Sequence, residues 1–287
     1  MNVLIQPNDG IENLLQGIRS ARQSIEVTIY RLDILEIEME LIAAARRGVD
    51  VHVLISYTGR GNVHRLEKLC KRLRKAGATI SQTADDFLRY HYKVMIVDRR
   101  LLYLLTFNFT FLDIHHSRSF GVITDEQEMV DEAVALFEAD AAQKSYLSDH
   151  DRLVISPHNS RQQLCDFIRQ TQHQLLIYDE KVQDEKVLRL LEERAQAGIE
   201  IKVIGRTGRP IRKVTVRPVQ ELYLHAQAII RDGTHAFVGS QSLRKKELDR
   251  RRELGIIFES QHLVRSLSTV FEMDWGDMIA RNGAAKG

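Results

Sequence analysis

HYKVMIVDRRLLYLLTFNF, residues 91–109, and HAQAIIRDGTHAFVGSQSL, residues 225–243, decide how this chain is read. Each opens on a His, places an Asp seven positions later (Asp98, Asp232) and a hydroxyl residue eight beyond that (Thr106, Ser240). The shift that lays His91 on His225 also carries Asn108 onto Ser242, Arg118 onto Arg252 and Gly121 onto Gly255. One register held this far is the mark of an internal repeat.

The repeat reaches outward over most of the chain. VLIQPNDGIENLLQGIRSARQSIEVTIY, from Val3, returns as LVISPHNSRQQLCDFIRQTQHQLLIY from Leu153, with Pro7 over Pro157 and Tyr30 over Tyr178. RRGVDVHVLISYTGR returns as QAGIEIKVIGRTGR, with Gly48 over Gly198. Two homologous units follow, residues 1–147 and 148–287. Within each, short apolar runs at strand period alternate with segments at helical period. Val3–Ile5, Ile25–Tyr30 and Val49–Ile55 read as strands. Asp9 with Glu12, and Asp33 with Glu36, read as helix caps, and Gly48 as a left-handed helix stop. The extra amphipathic helix at 62–76, built on Leu66, Leu69 and Leu73, has no partner in the second unit. Alternating Tyr92, Val94, Ile96 and Leu102, Leu104 around Asp98-Arg99-Arg100 predict a hairpin. The fold class expected is α/β: tandem units of mixed sheet flanked by helices, related by a pseudo-twofold axis.

Composition agrees with a globular core, with 44% apolar and 28% charged residues. Net charge is only +2, but cations gather at Arg60–Lys75, Lys202–Arg217 and Arg244–Arg252. Such concentrations are either solvated faces or a surface for a polyanion. No apolar run reaches the length of a membrane span, the N-terminus does not read as a signal peptide, and Cys70 and Cys165 suggest neither a metal cluster nor a disulfide framework. A cytoplasmic protein without a transmembrane segment is expected.

His and Lys two apart on a strand set an imidazole beside an ammonium, a group able to attack or exchange protons next to one able to hold a phosphate oxygen. Asp98 and Asp232 could fix an imidazole tautomer. Thr106, Asn108, Ser240 and Ser242 offer donors for non-bridging oxygens. Units related by a twofold bring both motifs to one interface. Tyr30 and Tyr178 read as packing residues. His115-His116 with Asp113 has poor ligand spacing and reads as cleft lining or solvent-facing rather than a metal site. Phe107, Phe109, Phe111 and Leu112 form an apolar stretch suited either to acyl chains or to burying the motif.

These stretches resemble the phospholipase D superfamily, marked by a duplicated HxKxxxxD followed by a Gly-Ser-x-Asn segment, and in particular its bacterial soluble and cardiolipin synthase-like members. The resemblance spans about Val3 to Trp275. It implies phosphodiester hydrolysis or transfer through a phosphohistidine, without metal or other cofactor, in a monomeric active unit. It places His91, Lys93, Asp98, His225 and Asp232 in catalytic positions; because Lys93 makes its half the stronger phosphate seat, His91 is read as nucleophile and His225 as general acid, with the reverse assignment as the alternative. Lys93, Thr106, Asn108, Gln227, Ser240 and Ser242 would hold phosphate, supported by Arg118, Arg252 and Glu253. The chain departs from the pattern at Gln227, where Lys is expected, at Ser242 for Asn, and at Leu105-Thr106 for Gly-Ser. Glu253 stands where the family often has an acid, and its first-unit counterpart is Ser119. The implied substrate is a phospholipid head group, with contact to an anionic membrane surface; a nucleic-acid phosphodiester, or polyanion binding with weakened catalysis, are the alternatives.

Overall fold

The computed structural model describes residues 1–56, 63–148, 150–218 and 222–284. Arg60, in the first basic concentration, lies outside them. The first half runs β1 (Asn2–Gln6), α1 (Glu12–Ser20), β2 (Ser24–Ile29), α2 (Leu35–Arg46), β3 (Asp50–Ile55), α3 (Val63–Lys75) and β4 (Thr79–Gln82). The short β5 (Arg89–Tyr90) follows, then β6 (Lys93–Val97), β7 (Leu101–Leu105), α4 (Phe111–His115), β8 (Ser117–Thr124) and α5 (Gln127–Ala141). The second half repeats this as β9 (Leu153–Ser156), α6 (Ser160–Arg169), β10 (Gln174–Val182), α7 (Glu185–Gln196), β11 (Glu200–Thr207) and β12 (Val214–Arg217). It continues with β13 (Tyr223–Leu224), β14 (Ala228–Arg231), β15 (His235–Gly239), α8 (Lys245–Asp249), β16 (Arg251–Glu259) and α9 (Gln261–Ala284). Among the described residues α3 has no counterpart, as the sequence predicts.

The sheets have matching orders, β1-β8-β7-β6-β2-β3-β4 and β9-β16-β15-β14-β10-β11-β12. Within each half's own strands, β2, β3 and β4, and likewise β10, β11 and β12, pair in parallel, and the remaining pairings are antiparallel. The first strand of each half crosses to the far edge, antiparallel to β8 or β16, because the hairpin strands occupy the positions beside β2 and β10. The sheets are therefore mixed. Each has eight strands among the described residues, and one of the eight is supplied by the other half: β13 pairs in parallel with β8, and β5 with β16. This reciprocal exchange is the pseudo-twofold relation expressed in hydrogen bonds.

Packing forms layers. One central core is shared by both sheets and by α5 and α9, with Phe120, Phe137, Tyr178, Phe258 and Phe271 fully or almost fully buried. The outer face of the first sheet is covered by α1, α2 and α3 through Leu14, Ile18, Leu41 and Leu73. The second sheet is covered likewise through Leu164, Ile168 and Leu191 of α6 and α7. Each such side chain contributes about 1.5–3 kcal/mol on burial, and the shared central layer makes the halves one folding mass rather than two beads. Gly48 ends α2 at φ +90° as expected.

The two predicted caps act elsewhere. The Asp9 carboxylate accepts the Ile5 N–H at 2.6 Å, tightening the turn out of β1, and α1 starts after Ile11 without a side-chain cap. The Asp33 carboxylate accepts the Phe111 N–H at 2.7 Å and so joins the start of α2 to α4. A carboxylate serves whichever unpaired N–H lies nearest; for Asp9 that is the strand four residues back, and for Asp33 it is a tertiary neighbour.

Candidate active site

The exchanged strands place the histidines. His91 directly follows β5, and its N–H continues that ladder to the Arg252 carbonyl at 2.8 Å. His225 directly follows β13, and its N–H reaches the Arg118 carbonyl at 3.0 Å. Each imidazole is thus fixed to a strand of the opposite half, and each finds a carboxylate there. His91 Nδ1 lies 3.2 Å from both oxygens of Glu253 on β16, and His225 Nδ1 lies 2.9 Å from Asp113 Oδ1 on α4. The Lys93 ammonium sits 2.9 Å from the His91 carbonyl oxygen and 3.1 and 3.2 Å from its ring nitrogens. Tyr30 packs edge-on against the His91 ring at 5.1 Å, and its repeat partner Tyr178 is buried and donates to Asp274.

Charge and burial bias these groups strongly. Burial, then the neighbouring Lys93, push His91 down to about 4 against the upward pull of Glu253. The ring is neutral at physiological pH, with a lone pair to offer. Burial also lowers Lys93, to about 8, while Glu253 and Asp113 help keep it charged. Burial would raise Asp113, but the bond and attraction to His225 and the Asn108 donors outweigh it and hold the carboxyl near 2. Glu253 is held low by His91 and Lys93 despite complete burial. An imidazole held through Nδ1 to a carboxylate has its tautomer fixed and presents Nε2 to a reacting atom.

Several residues expected here are directed elsewhere. Asp98 and Asp232 do not reach the histidines. At roughly 3.3 Å per strand residue, seven residues carry them on the order of 20 Å away, to the hairpin turns, where both adopt positive φ. There Asp98 accepts the N–H groups of Arg22, Gln23 and Ser24, and Asp232 those of Gln172, His173 and Gln174. The motif's Asp is a turn residue that ties the hairpin to the start of β2 or β10. Arg118 and Arg252 do not face phosphate either. Arg118 forms a paired bond to Asp274 and donates to the Gln6 carbonyl, and Arg252 is paired with Asp140 at 3.2 Å and lies over the Phe87 ring. Both pairs cross between the halves and hold them together.

Among the expected phosphate donors, Thr106 Oγ1 accepts the Phe120 N–H and Ser240 Oγ bonds the Leu254 backbone, so these hydroxyls fasten neighbouring strands. Ser242 donates to Asp179, and the Asn108 amide donates to Asp113. Lys93 and Gln227 are buried at equivalent positions after the histidines. In the apolar stretch, Phe107 and Phe109 are interior, and only Phe111 and Leu112 face solvent.

Asp113 is the site residue that the sequence reading missed. Its carboxylate turns inward to His225 and Asn108 rather than outward with His115 and His116, and among the described residues no three His, Cys, Asp or Glu side chains form a metal-ligand group. The available signal was the gap at Ser119: the second half carries Glu253 at that position, so the first half needed an acid from somewhere near. The repeat counterpart of Asp113 is Glu247, which instead pairs with Arg251 at 2.9 Å. The two histidines therefore receive their acids from non-equivalent positions.

A family model described as "Cardiolipin synthase, PLD-like domain" matches residues 14–141 and 164–275. The chain belongs to this phospholipase D-like family. The mitochondrial cardiolipin hydrolase of Danio rerio is 29% identical over 117 residues, 41% of this chain and 50% of that protein. The chain thus spans about half the length of the curated relative it matches. Among solved structures, polyphosphate kinase from Porphyromonas gingivalis superposes with a TM-score of 0.80 at 20% identity, over 95% of this chain and 46% of that one. Phosphatidylserine synthase from Haemophilus influenzae gives 0.70 at 11% identity, over 95% of this chain and 86% of that one. At such identities these two share the fold.

Proposed function

We propose that the chain is a phosphodiesterase of phospholipase D type, hydrolysing or transferring a phospholipid head group through a covalent phosphohistidine. The observation that carries this reading is that two histidines, one from each half, each meet a carboxylate of the opposite half at the same interface. His91, neutral because it is buried beside Lys93, is the nucleophile: its Nε2 lone pair forms the P–N bond as the bond to the leaving oxygen breaks. Glu253 stabilises the imidazolium that results. His225, oriented by Asp113, gives its proton to the leaving oxygen. It then takes a proton from water or an alcohol, whose oxygen displaces His91 and restores the starting ring. Lys93 supplies positive charge to the phosphoryl oxygens, and Gln227 supplies an amide where a second cation is expected.

The family model and the Danio rerio relative, both named for cardiolipin, favour a lipid phosphodiester over other classes. The exposed cations Arg65, Lys68, Lys71, Arg74 and Lys75 along α3 favour nucleic acid as the competing class. No helix among the described residues is long and apolar enough to cross a membrane, and both histidines come from one chain; a cytoplasmic enzyme active as a monomer is the form we propose. The test is a panel of phosphatidylcholine, phosphatidylglycerol and cardiolipin vesicles, with and without short alcohols, beside plasmid and single-stranded DNA. Head-group release or exchange by the wild type, abolished in both His91→Ala and His225→Ala, is the expected result. Cleavage of DNA alone would move the substrate class to nucleic acid, and no turnover on any substrate would remove the enzyme.

A further inference from the structure

Five large apolar side chains stand in solvent at one corner of the molecule. Phe111 and Leu112 open α4, Leu35 and Met39 lie one turn apart on α2, and Tyr223 is two residues before His225; each is between 51% and 60% exposed. Backbone bonds draw these segments together. The Phe111 N–H donates to the Asp33 carboxylate, the Asp33 and Ile34 N–H groups reach the Phe109 carbonyl, and the Tyr223 N–H reaches the His116 carbonyl at 2.9 Å. The Phe111 ring also rests against the His115 and His116 rings, at 4.7 and 5.3 Å. The corner is continuous with the site, because α4 carries Asp113 and Tyr223 leads into His225.

Contiguous exposed apolar surface of this kind marks an interaction site, and the charges around it indicate the partner. The Arg65 guanidinium lies on the Asp33 carbonyl at 3.0 Å, Lys68 is exposed one turn further along α3, and Arg31 and Arg89 flank Tyr30 at the His91 side. Against them, the exposed acids on α2 and α3 are Glu36 and Glu67. An apolar tip within a cationic rim matches the boundary of an anionic bilayer, where apolar groups enter below the lipid phosphates and cations meet them. A nucleic-acid strand would use the cations and leave the aliphatic side chains wet.

We infer that this corner seats the protein on an anionic phospholipid surface, with Phe111, Leu112, Leu35 and Met39 as the interfacial anchor, so that a lipid phosphodiester enters the cleft directly from the membrane. This rests on the phosphodiesterase reading for its purpose, but membrane seating is measurable without turnover. The experiment is co-sedimentation of His91→Ala protein with phosphatidylcholine vesicles containing or lacking phosphatidylglycerol. Partition is expected onto the phosphatidylglycerol vesicles. Adding Phe111→Ser with Leu112→Ser, or separately Leu35→Ser with Met39→Ser, should weaken it at least about tenfold. Leu147→Ser, which removes an exposed side chain between the halves, should leave it unchanged. In otherwise wild-type protein, the α2 pair should lose vesicle turnover yet keep hydrolysis of soluble bis(p-nitrophenyl) phosphate within about twofold. Undiminished partition in both pairs, or equal partition onto both vesicle types, would overturn the inference. Absence of any turnover alongside intact partition would instead count against the phosphodiesterase reading alone.

Discussion

At the scale of single residues, the site is a set of unequal pairs. His91 has Lys93 beside it and Glu253 behind it; His225 has Gln227 in the equivalent place and Asp113 behind it. The Asp113 carboxylate is held by two donors from Asn108, each at 2.8 Å, as well as by His225. It is a positioning residue, acting on the phosphoryl group only through the imidazole. Asp113→Asn keeps the shape but removes the carboxylate that faces His225 Nδ1 at 2.9 Å. We expect kcat to fall about 100-fold with KM nearly unchanged, because the group acts on proton transfer rather than on substrate binding. Steady-state kinetics on a soluble phosphodiester would check this, and an unchanged kcat would remove Asp113 from the site.

At the scale of elements, two short strands matter more than their length suggests. β5 and β13 are each two residues long, and each delivers a histidine to the other half's sheet. The sheet that receives β5 is also closely packed. In β15 and β16 the paired residues are Gly239 and Gly255, and a Cβ on Gly255 would lie 2.3 Å from the Phe237 ring and 2.8 Å from the Gln241 side chain. Gly255→Ala is therefore expected to cost about 2 kcal/mol by overpacking. Urea unfolding would measure it, and a loss within error of zero would show that the ring has room to move. The hairpins, the helical faces of α1 and α2 and the extra α3 were legible in the sequence because their periods are local. Strand exchange was not, because a two-residue strand has no period to read. The same limit misled the reading of Asp98 and Asp232: spacing along a motif records that a residue recurs, not whether it recurs for the site or for a turn. Asp113 escaped because its partner is 112 positions away in sequence.

At the scale of the whole molecule, duplication supplies the architecture and divergence supplies the division of labour. The halves share one core and two Arg–Asp pairs across their interface, Arg118 with the partly buried Asp274 and Arg252 with the buried Asp140, which are themselves repeat counterparts. Removing Asp140 would leave the Arg252 guanidinium charged in the interior, at a cost of about 3–5 kcal/mol. What has diverged is the set of groups around the histidines, and this leads us to assign attack to His91 and proton transfer to His225. The most direct test uses His225→Ala protein with bis(p-nitrophenyl) phosphate, whose leaving group needs no acid. The proposed mechanism predicts a stoichiometric burst of p-nitrophenolate, little further turnover, and an alkali-stable phosphoryl adduct on the peptide carrying His91. An adduct on His225 in the His91→Ala protein, or continued turnover by either variant, would contradict a single site built from both halves with His91 as its nucleophile.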